Sequence, residues 1–314
     1  MRPVVHFAPL QGYTDAIYRE AHAQVFGGVE SYYTPFIRIE KDGFRNKDLR
    51  DIAHRENQSI QVIPQLIAAI PDEFRRIASL FYQYGYRRAD INLGCPFPMQ
   101  VRLHRGAGIL PYPHDVETLL NVIPEFPELK FSVKLRLGWN VAEEIQAIVP
   151  ILNSHPLVHV TLHPRIGIQQ YKGIVDLDGF SRFYESCSHP LFYNGDLNTL
   201  ADIYAITGQF PRLRGIMLGR GLLAAPWLAM EYQAGKELSD REKKSKLRAF
   251  HALLAEEYGK SLEGGDHQIL ARMKTLWDYM LPDVDKKLHK KVIKSKTLLE
   301  YKDAVRILID NTIF

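Results

Sequence analysis

Cysteine is nearly absent from this chain: Cys95 and Cys187 are the only two in 314 residues. Two thiols are too few for a disulfide framework, and they lack the spacing of a metal site, so no metal ligands are expected. No apolar run approaches the roughly 20 residues that cross a bilayer, and Met1-Arg-Pro-Val-Val-His carries no signal-peptide core. A reducing cytoplasm and no membrane partner are the simplest expectation. Low-complexity tracts are missing, as is any repeat beyond a strand–helix unit. No Gly-x-Gly-x-x-Gly turn follows the first strand, which argues against an open dinucleotide-binding sheet.

What is present suits a soluble globular protein, with 46% hydrophobic and 24% charged residues. Charge is uneven along it. Residues 241–314 hold 16 Lys and Arg against 11 Asp and Glu, a net of +5, while the whole chain carries +4. The basic excess therefore belongs to the last quarter, as expected of a module that meets a polyanion.

Eight short β-branched or apolar runs recur at fairly even intervals. They begin at Val4, Val29, Ile60, Ala89, Phe131, Val158, Pro190 and Arg214, with helically spaced segments such as Pro71–Phe81 and Val116–Ile123 between them. This alternation over about 230 residues predicts an α/β fold, a (β/α)8 TIM barrel. After Trp227 the strand signal stops. Glu237–Lys246 reads as a polar linker, and Leu247–Tyr258, His267–Met280 and Ala304–Ile309 read as helices. A barrel over 1–238 and a small all-α helical domain over 239–314 are expected.

Active sites of such barrels lie at the C-terminal ends of the strands. Asn92-Leu-Gly-Cys95-Pro96 puts a thiol there, on a turn that Gly94 and Pro96 permit, and Gly106-Ala-Gly108 is suited to a loop folding over the same cleft. Lys134, between two apolar residues, needs an anion or an electron-rich ligand, and His163 ends the next strand. Asn194-Gly195-Asp196 and Gly219-Arg220-Gly221 end strands seven and eight, the usual place of a barrel phosphate cradle. A phosphorylated ligand that also engages Gln65, Lys134 and His163 fits FMN, because cations tune a reduced flavin ring.

These residues resemble the flavin-dependent tRNA-dihydrouridine synthases. Ala8-Pro-Leu-Gln-Gly-Tyr-Thr-Asp15 is similar to that family's A-P-M-x-G-x-T-D, Asn92–Pro96 matches N-x-G-C-P, and Val133-Lys-Leu-Arg-Leu-Gly-Trp139 matches V-K-x-R-x-G-W. His163-x-Arg165 with Gln169, Tyr171 and Gly173 keeps a further spacing, and Arg272, Lys274, Trp277 and Tyr279 look like the family's basic-aromatic RNA-binding helix. The resemblance implies that Ala8, Pro9, Leu10, Gln65, Lys134, His163, Asn194, Gly195, Asp196, Gly219 and Arg220 hold FMN. It further implies that NADPH reduces the flavin, hydride passes to uracil C6, and Cys95 protonates C5. Asn92, Arg136, Arg165 and Tyr171 would meet the uracil or its phosphate. Arg272 and Lys274 would grip tRNA, with Trp277 in the core. No stable protein partner is expected.

Two stretches depart from the family pattern. Phe97-Pro-Met-Gln stands where lysines usually follow the cysteine, and His163-Pro-Arg-Ile166 replaces H-G-R-T. Three alternatives remain: a flavin barrel acting on a free dihydropyrimidine, a non-catalytic RNA-binding barrel, and a dihydrouridine synthase acting on ribosomal RNA.

Overall fold

A computed structural model describes residues 2–41, 43–54 and 59–314. All eight expected strands are present: β1 (Val4–Phe7), β2 (Ser31–Tyr33), β3 (Val62–Ile63 and Gln65–Leu66), β4 (Arg88–Leu93), β5 (Lys130–Gly138), β6 (Leu157–Ile166), β7 (Leu191–Tyr193) and β8 (Gly215–Leu218). Pro64, which has no N–H to give a ladder, splits β3 in two. Its first half pairs with β2 and its second with β4, while β1 pairs with β8. Every pairing in this sheet is parallel, and the ring closes through β3 into the TIM-like barrel.

Register brings the chemistry-bearing residues side by side. Asn92 lies opposite Lys134 on β4 and β5, and Arg136 opposite His163 on β5 and β6. The outer helices follow ordinary rules. Pro71–Gln83 starts with proline, carries Asp72 and Glu73 in its first turn, and buries Phe74, Ile77, Ala78, Leu80 and Phe81.

Beyond the barrel the chain is helical: Asp240–Ser261, Gly265–Thr275, Lys286–Lys294 and Leu298–Asn311. The linker expected over Glu237–Lys246 is largely the first turns of a 22-residue helix. Ser239 and Glu242 form a reciprocal capping box, so the polar run is the exposed side of a helix whose other side buries Lys243, Leu247, Phe250, Leu254 and Tyr258. Those apolar residues face the barrel, with Phe250 edge-on to Tyr18 and Phe26. No helix among the described residues is long and apolar enough to cross a membrane.

Candidate active site

The C-terminal strand ends open on a cavity of about 610 Å3. Its wall contains Cys95 and every residue expected to hold the cofactor, from Ala8 to Arg220, together with Asn92, Arg136 and Tyr171. Arg38, which sequence reasoning missed, shares that wall with Tyr13 of the opening motif and with Tyr279, expected on the RNA-binding helix.

Cys95 sits on a turn tied down by its neighbour. Asn92 Oδ1 accepts the backbone N–H groups of Gly94 (3.0 Å) and Cys95 (2.8 Å), and Asn92 Nδ2 donates to Gln65 Oε1 (2.7 Å). Burial pushes the Cys95 thiol up, against a smaller opposing effect of the Phe97 backbone and nearby cations. The sulfur is therefore protonated at neutral pH and able to donate.

The segment Gly106–Ile109 differs from expectation. It is a buried 3₁₀ turn behind Cys95, not a flap over the cleft. Ala107 N–H donates to Cys95 O (3.0 Å), and a Cβ on Gly106, whose φ is +61°, would lie 2.7 Å from that same oxygen. Glycine is there for close approach and a left-handed backbone, and flexibility has no part in it.

Lys134 projects from β5 into the cavity, and among the described residues its ammonium makes no hydrogen bond or ion pair. Burial lowers its pKa to about 8, helped by Arg136 and opposed by Asp90 and Cys95. His163 is held neutral, well below the usual imidazole range, by burial and by the surrounding Arg136, Lys134, Arg165 and Arg220. Its Nε2 accepts an N–H from Arg165 (3.1 Å).

At the other end, Asn194 Nδ2 donates to Met217 O (2.7 Å), locking the turn after β7 to β8. Among the described residues, the backbone N–H groups of Gly195, Asp196 and Gly219 donate to no other group. Asp196 is neutralised by Arg165, and Arg220 lies 3.2 Å from its Oδ1. Free amides beside an arginine at one end, with an unpartnered ammonium at the other, fit a ligand having a phosphate and an electron-rich ring. FMN has both.

A family model described as dihydrouridine synthase (Dus) matches residues 6–298. The chain belongs to the dihydrouridine synthase family. It resembles tRNA-dihydrouridine synthase B of Pasteurella multocida (strain Pm70), with 27% identity over 230 residues covering 71% of this chain and 67% of that one. Against tRNA-dihydrouridine(16) synthase of Pseudomonas putida the identity is 25% over 244 residues, 75% of each. Among solved structures, morphinone reductase matches at a TM-score of 0.51 and 11% identity, covering 75% of this chain and 86% of that one. The old yellow enzyme from Trypanosoma cruzi matches at 0.50 and 10%, covering 75% and 89%. At such identities the likeness is one of fold.

In this dihydrouridine synthase the residues expected to meet substrate divide into two groups. Tyr171 is 56% exposed at the mouth, with the guanidinium carbons of Arg136 and Arg220 lying 5.4 and 5.0 Å from its ring centroid. Arg136 lines the cavity while donating to the carbonyls of Gly94 (3.0 Å) and Ile166 (3.1 Å). Arg165 does not reach the wall. It is buried behind it, holding Asp196, His163 and Gly173 O.

The two expected tRNA contacts on the helical region are half-buried and tied to partners within the chain. Arg272 donates to Gly12 O, to Tyr13 O (2.9 Å) and to Asp15 Oδ2 (2.8 Å), fastening the helix to the loop after β1. Lys274 Nζ donates to Ser295 O. Each cation found a tertiary acceptor that sequence spacing does not reveal. Trp277 is in the core, as expected, with its Nε1–H on Tyr301 Oη (2.8 Å). Tyr279, next along, crosses to the barrel and packs edge-on against Tyr13 with ring centroids 4.9 Å apart.

Proposed function

We propose that this enzyme reduces uridines of tRNA to 5,6-dihydrouridine, holding FMN in the barrel-mouth cavity and using NADPH as reductant. The observation that carries the reading is the pairing, in one cavity of a dihydrouridine synthase, of a protonated thiol with an unpartnered ammonium. The names of the Pasteurella and Pseudomonas relatives supply the RNA class. A cytoplasmic enzyme fits chemistry on RNA with a nicotinamide reductant.

The hydride for uracil C6 is the chemistry that bound FMN supplies. Everything else falls to this chain. The free amides of Gly195, Asp196 and Gly219, with Arg220, take the phosphate, while Lys134 offsets negative charge at the ring. Ala8, Pro9 and Leu10 give the flavin an apolar bed. Cys95 donates its S–H proton to C5, where negative charge builds up as hydride arrives. Asn92 Nδ2 has one N–H on Gln65 and a second left for a uracil oxygen. The Tyr171 ring offers a stacking face at the mouth.

A uracil within folded RNA must be turned out to reach this depth. Residues 239–314 act as the RNA-binding module. Its grip lies on Lys286, Lys287, Lys290, Lys291, Lys294 and Lys296, all exposed and, among the described residues, in no ion pair. In place of lysines, Phe97 and Met99 flank the cysteine turn with 54% and 59% of their surface in solvent, giving this edge of the mouth an apolar RNA contact.

The test incubates the full chain with FMN, NADPH and dihydrouridine-free tRNA and counts dihydrouridine by mass spectrometry. Cys95→Ala is expected to keep its FMN and lose about 100-fold or more of the rate, the usual size of a general-acid contribution. Undiminished turnover in that variant removes the thiol from the reaction. Product found on ribosomal RNA alone, or on a free dihydropyrimidine alone, transfers the activity to that substrate.

A further inference from the structure

Behind the Cys95 turn runs a line of buried side chains whose hydrogen bonds all point one way. Asp90, fully buried on β4, accepts Ser132 Oγ–H on Oδ1 (2.5 Å) and Gln65 Nε2–H on Oδ2 (2.7 Å). Gln65 Oε1 accepts from Asn92 Nδ2 (2.7 Å), and Asn92 Oδ1 accepts from Gly94 and Cys95. Register builds this line: Gln65 and Ser132 are the strand partners of Asp90 on β3 and β5.

The two ends of a side-chain amide are almost the same size, so its direction is set by what it faces. A carboxylate offers acceptors only. Facing Asp90, Gln65 must present its nitrogen there and its oxygen to Asn92. Asn92 must then present its nitrogen to Gln65 and its oxygen to the turn. Reversing any one link sets two oxygens or two NH2 groups against each other in a dry interior, where each unmade bond is costly. Gln65 also keeps one N–H beyond the Asp90 bond, at the cavity wall.

We propose that Asp90 is a positioning residue for this enzyme: its carboxylate dictates the direction of the Gln65 and Asn92 amides, and through them holds the Cys95 turn and aims the spare Gln65 N–H at the cofactor. The meaning of the thiol and the cavity rests on the function proposed above. The charged and titratable groups facing Asp90 are Lys134 on β5 and Tyr33 on β2. Burial raises the Asp90 carboxyl to about 7, so the acceptor-only form that the line requires is the one held above that pH; the bonds from Ser132 and Gln65 and the Lys134 ammonium oppose the rise and favour that form.

The experiment uses the full-length chain and two readouts that need no turnover. One is iodoacetamide alkylation at Cys95, followed by peptide mass spectrometry with Cys187 as internal reference, before FMN is added. The other is FMN affinity from quenching of flavin fluorescence. Asp90→Leu frees Gln65 to turn. Alkylation at Cys95 should rise about tenfold and FMN affinity fall about tenfold, the loss of roughly one hydrogen bond at each place.

The double variant Asp90→Asn/Gln65→Glu moves the carboxylate one position along. Glu at 65 would accept from both asparagines, and Asn at 90 would accept from Ser132. Alkylation should return to within about twofold of the parent while FMN affinity stays low, since position 65 no longer donates. A purely space-filling Asp90 predicts no such split. Parent-like alkylation and FMN affinity in folded Asp90→Leu, or failure of the double variant to restore the alkylation rate, overturns the proposal. If Asp90→Leu is insoluble the double variant decides alone, by the same two readouts. An enzyme that forms no dihydrouridine on any RNA would defeat the proposed function, yet leave the alkylation pattern intact.

Discussion

Arg272 separates two accounts of the helical region by a measurement on each side. In the structure its guanidinium bridges Asp15 and the carbonyls of Gly12 and Tyr13, and it lies 5.0 Å from the centroid of the Tyr258 ring. Its side chain is 15% exposed and that of Asp15 39%. Arg272→Met keeps the aliphatic stem and removes the charge. Breaking a fully dry ion pair costs about 3–5 kcal/mol. Here water reaches Asp15, which also keeps the Tyr258 hydroxyl (2.9 Å) and its cap on Tyr18 N–H (3.0 Å), softening the loss. The expected destabilisation is about 2–3 kcal/mol, or about 3–5 °C in a melt of a chain this size. Urea titration and thermal melting read it directly. RNA affinity, measured at several salt concentrations, should keep its slope, because no phosphate contact is removed. An unaltered melt together with a slope reduced by about 1 would refute the clamp and restore Arg272 as a phosphate contact.

Other outcomes follow from the same geometry. Lys134 is charged below about 8, so FMN affinity should weaken as pH rises through that value, and Lys134→Met should bind weakly with no such break. Because its folded pKa lies below the unfolded one, the same group makes the FMN-free chain gain stability as pH rises from about 8 towards 10. A pH-independent FMN affinity in the parent would contradict its role. Replacing Lys287, Lys290 and Lys294 with Gln should lower the salt slope of tRNA binding by about 2–3 without moving the melt, and an unchanged slope places the RNA elsewhere. Gly106→Ala should cost about 1–3 kcal/mol and disturb Cys95, since its Cβ meets the Cys95 backbone in a left-handed conformation; a parent-like melt and alkylation rate would refute that packing.

The barrel was readable because parallel strands covered on both faces show as β-branched runs, and most runs ended in polar residues now found on the cavity wall. That signal is local. What escaped depends on partners distant in sequence. Arg272 and Lys274 look like free cations until Asp15 and Ser295 come into view. Gly106 reads as a hinge until the Cys95 carbonyl sits against it. Asp90 lies two residues before the motif that carries the cysteine, and only register shows that it sits between Gln65 and Ser132. The helix beginning at Asp240 was masked by its lysines, although Ser239 and Glu242 stood at capping-box spacing all along.

Among the described residues, Tyr279 is the one from the helical quarter that helps enclose the cavity, and it does so against Tyr13. The vestibule is consequently a composite built by two parts of the chain. Grafting a foreign tail onto this barrel would reshape the doorway as well as the docking platform, so changes that retarget the enzyme to another uridine must be matched by compensating changes in the loop that carries Tyr13.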